Sequence, residues 1–121
     1  MAAAPVQPPV IHETFTPLPC PMHPGTTIEI EGCYEQAILK TDRQINAAAK
    51  AIFFKLRADA RAGFVQSEKA WLVYRRAGCA AEASKYAGGT LSGVVDAACT
   101  ANRNKTHVRD LSDLLKTLST P

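Results

Sequence analysis

The stretch EKAWLVYRRAGCAAEA, Glu68 to Ala83, sets a tryptophan, a tyrosine, two arginines and a cysteine within nine residues. Residues three and four apart are neighbours on a helix, so Trp71, Leu72, Arg75 and Cys79 share one face. That face carries the apolar side chains and is the one a helix turns inward. An arginine therefore lies on the inner stripe beside a cysteine, and each needs a partner from another element. For the arginine the partners must be carboxylates or carbonyls, because a buried, unpaired charge is strongly destabilising.

Upstream, Ile38, Ile45, Ala49, Ile52 and Leu56 recur at three-to-four spacing and predict a first amphipathic helix. DARAGF (Asp59 to Phe64) contains Gly63 and reads as the turn. The second helix then starts near Ala62, with Phe64, Trp71, Leu72, Arg75 and Cys79 inside. YAGGT (Tyr86 to Thr90) ends it, since paired glycines are poor helix formers. Thr90 or Ser92 is placed to cap a third helix. Its stripe runs Leu91, Val94, Val95, Ala98, Cys99, then Leu111, Leu114, Leu115 and Leu118, interrupted by the polar interval TANRNKTHVRD (Thr100 to Asp110). No apolar alternation at period two appears anywhere. The expected fold is all-α: a bundle of three main helices, built from antiparallel hairpins and without internal repeats. Seven of the eight prolines fall in residues 1 to about 25. That segment reads as an extended, mobile arm, and residues 26–121 as the helical domain.

A chain of 121 residues is one domain with one modest core. Its formal charge of +3 is too slight to argue nucleic-acid binding. No apolar run is long enough to span a membrane.

Four cysteines, Cys20, Cys33, Cys79 and Cys99, form no C-x-x-C pair. An even count in a small chain points to two disulfides and an oxidising compartment. The rival is a metal site built on Cys20, His23 and Cys33, but a structural zinc needs four ligands and no fourth lies nearby. Four cysteines allow three pairings. A hairpin across the Gly-Gly turn favours Cys79 with Cys99, leaving Cys20 with Cys33 to pin the arm. The start MAAAPVQPPV has neither a basic segment nor an apolar one. Its small residues read as an N-terminus left after an export signal was removed, which places the protein in the periplasm or outside the cell.

Cys33, DRQIN (Asp42 to Asn46), AWLVYRRAGC (Ala70 to Cys79), GGT (Gly88 to Thr90) and Cys99, in this order, resemble the LprI family of lysozyme-inhibitor-like domains. The resemblance covers residues 20 to about 115. It implies an exported, all-helical bacterial domain with Asp-x-x-Leu-Asn in the first long helix and Trp-x-x-Tyr-Arg-x-x-x-Cys in the second. The chain departs from that pattern at Glu68, where the family has glutamine, and at Arg103-Asn104 and His107-Val108 on the third helix.

Asp42 and Asn46 lie one turn apart on the first helix. The expected network pairs Asp42 with Arg75, sets Asn46 beside them and covers them with Trp71. This network is either purely structural, or Arg75 or its neighbour Arg76 reaches out to an acidic partner, Arg76 being the better placed because it falls off the apolar stripe. No nucleophile–base pair, metal motif or phosphate loop is visible, which argues against an enzyme and against a cofactor. The resemblance implies binding to a c-type lysozyme, whose cleft presents two carboxylates. The segment best shaped to enter it is the tip from Lys85 to Ser92, with Gly88, Gly89 and Thr90 at its end. The alternative is an envelope interaction or scaffold protein using a basic face of Arg103, Lys105, His107 and Arg109. Asp110 and Asp113 read as an ordinary solvated face.

Overall fold

The computed structural model describes residues 5–121. Met1 to Ala4, and with them the beginning of the arm and the reading of a cleaved N-terminus, lie outside the described residues. Helix α1 (Thr27–Lys55) starts at a capping box. Thr26 Oγ1 accepts the Glu29 N–H, while Glu29 Oε1 accepts the N–H groups of Gly25 and Thr26, all at 3.1 Å. Those backbone bonds, from Gly25 first, hold the Glu29 carboxyl below its ordinary pKa.

The first turn comes earlier than the glycine suggests. Helix α1 ends at Leu56, whose backbone is extended, and a 3-10 turn at Ala58–Ala60 leads directly into α2 (Arg61–Ser84). The Arg61 Nε–H closes the corner by donating to the Phe53 carbonyl at 2.9 Å. Gly63 is therefore helical, inside the first turn of α2. A second turn, with Gly88 at φ +87°, leads to α3 (Leu91–Ser119). Neither expected cap forms there. Thr90 adopts the αR conformation and makes no side-chain cap bond, and the Ser92 hydroxyl donates to the Ala83 carbonyl instead, at 3.4 Å.

Cys79 bonds Cys99, and Glu68 meets His107, so α2 runs antiparallel to α3. Helix α1 runs parallel to α3, with Ile38 near Ala97 and Ala101, and Ile52 near Leu111. Both α1 and α2 pack along α3, while their own backbones approach each other little. Helix α3 is thus the central element. Its inner stripe continues through the polar interval, as Ala97, Cys99, Ala101, Asn104, His107 and Leu111, all buried. Leu91 and Leu114, assigned to the stripe from the sequence, are exposed. Two apolar clusters result, one around Ile45, Ala49, Ile52 and Leu111 and one around Ile38, Ala97 and Ala101. Ile45 and Ile52 are essentially fully buried, each contributing about 2 kcal/mol by burial.

The disulfides are Cys20–Cys33 and Cys79–Cys99, closing separations of 13 and 20 residues. Chain entropy assigns about 3 kcal/mol to each. Cys20 and Cys33 are thereby removed from any metal set with His23.

Residues 5–25 form no helix or strand, yet proline content alone is a poor guide to them. From Ile11 onward the burial alternates: Ile11, Glu13 and Phe15 turn inward, while His12, Thr14 and Thr16 are exposed. This is the period of an extended strand. Ile11 packs on the Ile45 cluster and Phe15 on the Ile38 cluster. The arm thus fills the side of the bundle that α1 and α2 leave open.

Candidate functional site

Between the two apolar clusters lies a buried polar layer. Arg75, 3% exposed, donates from Nη1 to Asp42 Oδ1 at 3.1 Å and to Asn104 Oδ1 at 3.0 Å. Its Nη2 donates to Glu13 Oε1 of the arm at 2.6 Å. Asn104 Nδ2 donates in turn to Asp42 Oδ1 at 2.8 Å and Thr41 Oγ1 at 3.0 Å. One arginine therefore ties together all three helices and the arm.

Trp71 extends this layer. The Arg75 guanidinium carbon lies 5.7 Å from its ring centroid, and His107 stacks on the ring at 3.8 Å with the planes 8° apart. His107 Nε2 is 2.9 Å from Glu68 Oε2, both side chains buried. Glu68 and His107 are thus in contact across α2 and α3.

Asp42 has its carboxyl pushed up to about 6, chiefly by burial, against the lowering influence of the Asn104 hydrogen bond and of Arg75. Burial prevails because Arg75 divides one positive charge between two carboxylates, and Glu13 repels the ionised form besides.

Asn46 is not in this layer. Its Oδ1 accepts the Ile11 N–H at 2.7 Å and its Nδ2 donates to the Ile11 carbonyl at 3.0 Å, so it holds the arm by the backbone. Sequence reasoning missed Glu13, Glu68, Asn104 and His107. The signal for Asn104 and His107 was their spacing with Ala97, Ala101 and Leu111, which is helical. For Glu13 it was the alternation with Ile11 and Phe15, disguised because its middle member is charged.

The remaining candidates lie on the surface. Arg76 is exposed at the rim of a cavity of about 380 Å³ that Glu13, Glu31, Glu35 and Asp96 also line. Burial first, then repulsion from Glu35 and Asp96, raises the Glu31 carboxyl. Those carboxylates oppose the approach of an acidic partner to Arg76.

The tip is more open. Lys85, Gly88, Gly89 and Thr90 are exposed, Ser92 is half-buried, and Cys79–Cys99 braces the two helices behind them. Lys85 Nζ lies 5.8 Å from the Tyr86 ring centroid.

The four basic residues of α3 do not form one face. His107 is inside, and Arg103 lies over the Tyr74 ring at 4.6 Å, bonded to Tyr74 and, at 3.4 Å, to Glu82. Only Lys105 and Arg109 of the set are exposed. No helix is long and apolar enough to cross a membrane, and no group of three or more histidines, cysteines or carboxylates suits a metal ion, both among the described residues.

Compared with known proteins, residues 20–111 match the family model described as lysozyme inhibitor LprI. The matched segment contains all four cysteines, the Asp42–Arg75–Asn104 layer and the Gly88–Gly89 turn. No curated protein and no solved structure matches the chain.

Proposed function

The chain belongs to the LprI lysozyme-inhibitor family, and from that membership we propose that it binds a c-type lysozyme and blocks the cleft by occupancy. The family match over most of the helical domain is the observation that carries this reading. Two disulfides suit the oxidising surroundings in which such an encounter takes place, the periplasm or the cell exterior.

A lysozyme cleft places two carboxylates on either side of the scissile bond. The α2–α3 tip suits such a cleft in two respects. It is braced by Cys79–Cys99, and it presents an exposed lysine and threonine, Lys85 and Thr90. Ser92 serves the tip from within through its bond to Ala83. Inhibition needs no chemistry from the inhibitor, only a rigid surface and a complementary charge.

The test is a lysis assay on a bacterial wall suspension, titrating the oxidised protein against a c-type lysozyme. Saturable inhibition near equimolar ratio is expected, with loss of at least about tenfold in potency for Lys85→Ala with Thr90→Ala. No inhibition at large excess, by protein whose disulfides mass spectrometry confirms, overturns the reading and leaves an envelope interaction module of the same fold.

A further inference from the structure

Asn46 on α1 recognises a backbone, that of Ile11 in the arm. It bonds both the N–H and the C=O of Ile11, the pair of bonds that a neighbouring strand would make. Such bonds fix an extended chain without specifying its side chains, whereas alternate side-chain sites supply selectivity. Three such sites follow. Ile11 rests on the Ile45–Leu111 cluster, Glu13 meets the Arg75 guanidinium, and Phe15 rests on the Ile38 cluster. His12 and Thr14 between them face solvent.

We propose that the channel between α1 and α2 is a binding site for an extended peptide with an apolar, an acidic and an aromatic residue at alternate positions. Ile11, Glu13 and Phe15 of the arm are its resident occupant, displaced when a partner protein presents such a segment. The channel does not depend on the arm for its walls, because both helices are seated on α3 and Cys79–Cys99 locks one of those seats. Among the described residues, the arm N-terminal to Cys20 is joined to the bundle only by non-covalent contacts. At its far end, open surface grooves of about 470 and 610 Å³ flank residues 7–10, on the α2 and α1 sides, and Val10 is exposed. A bulkier segment has room there.

A tethered occupant acts at an effective concentration of about millimolar. A partner's apparent affinity is therefore lowered by the fraction of molecules in which the channel is closed. The proposal is independent of lysozyme inhibition, which uses the α2–α3 tip.

The test uses the full-length oxidised chain with Ile11→Ala and Glu13→Ala, which weaken the occupant and leave Asn46 and Arg75 untouched. The probe is a fluorescein-labelled synthetic peptide of residues 6–17, VQPPVIHETFTP. Fluorescence anisotropy should show saturable binding at least about tenfold tighter to this variant than to the unaltered chain. A peptide with lysine in place of the glutamate should bind at least about tenfold more weakly. Equal binding to both chains, equal binding of both peptides, or no binding to a variant that circular dichroism shows folded, overturns the proposal. So does arm-exchanged dimer in light scattering, which assigns the channel to a second copy.

Hydrogen exchange on the unaltered chain tests the same point should the variant not fold. The Ile11 amide should exchange at least about a hundredfold faster than those of Ile45 and Ala49, through opening of the arm alone. Exchange of all three only by global unfolding overturns displacement.

Discussion

Asn46 on α1 holds Ile11 of the arm by both polar groups of its backbone, at 2.7 and 3.0 Å, and this contact joins the bundle to the extended segment that packs on it. Replacing Asn46 with alanine strands a partly buried N–H and C=O. The expected cost is about 1–2 kcal/mol in urea denaturation, with helix content by circular dichroism unchanged. An unaltered midpoint would mean that water replaces the amide without loss.

Asp42 ties stability to pH. Its folded-state pKa of about 6 lies above the ordinary 3.8, so the folded protein binds the proton more tightly than the unfolded chain. The resulting stabilisation is absent well above pH 6, grows as pH falls through 6, and is complete below about 4. Between pH 7.5 and pH 5 the gain from this group is on the order of 1 kcal/mol. Asp42 Oδ2 has no hydrogen-bond partner among the described residues, so a proton there displaces no bond. Denaturation at both pH values should therefore show a gain on acidification that Asp42→Asn lacks. The same gain in the variant would assign it to another carboxyl, with Glu31, also raised, the first to examine.

Removing Arg75 should be far worse than removing its surroundings. Arg75→Met leaves Asp42 and Glu13 facing each other without a cation in a buried layer. Breaking such a pair costs about 3–5 kcal/mol. Restoring neutrality by adding Asp42→Asn and Glu13→Gln should recover more than half of that loss, because the uncompensated charges and not the missing contacts dominate it. A triple variant no more stable than Arg75→Met would instead show that the geometry of the guanidinium is what holds the helices.

Three helices were legible because their apolar residues keep helical spacing, and Trp71, Arg75 and Cys79 showed which face of α2 turns inward. The disulfide pairing followed from the hairpin across Gly88 and Gly89. The Asn104 and His107 positions were not read as core, since polar residues at helical spacing look like surface until their partners are known. Those partners, Asp42 and Glu68, lie 62 and 39 residues away in sequence. The packing of the arm on the bundle escapes a sequence reading for a related reason. Proline density argues against helix and sheet, but the ordering of an extended chain comes from what it touches, here Asn46, Arg75 and the two apolar clusters.

Two glycines within helices make opposite predictions for one substitution. Helix propensity alone favours alanine over glycine by about 1 kcal/mol at either site. At Gly63 a Cβ meets nothing within 4 Å, so Gly63→Ala should raise stability by about 0.5–1 kcal/mol. At Gly32 the Cβ would collide with the carbonyl oxygens of Leu18 and Pro19, which are backbone and cannot rotate away. Cys20–Cys33, adjacent to both segments, prevents the arm from simply lifting off. Gly32→Ala should therefore lose about 1–3 kcal/mol despite the better propensity, and the loss should shrink when the disulfide is removed by Cys20→Ser with Cys33→Ser. Thermal denaturation of the two alanine variants decides it: shifts of opposite sign place the arm against α1 as described, whereas two upward shifts mean that the chain around Leu18 lies elsewhere.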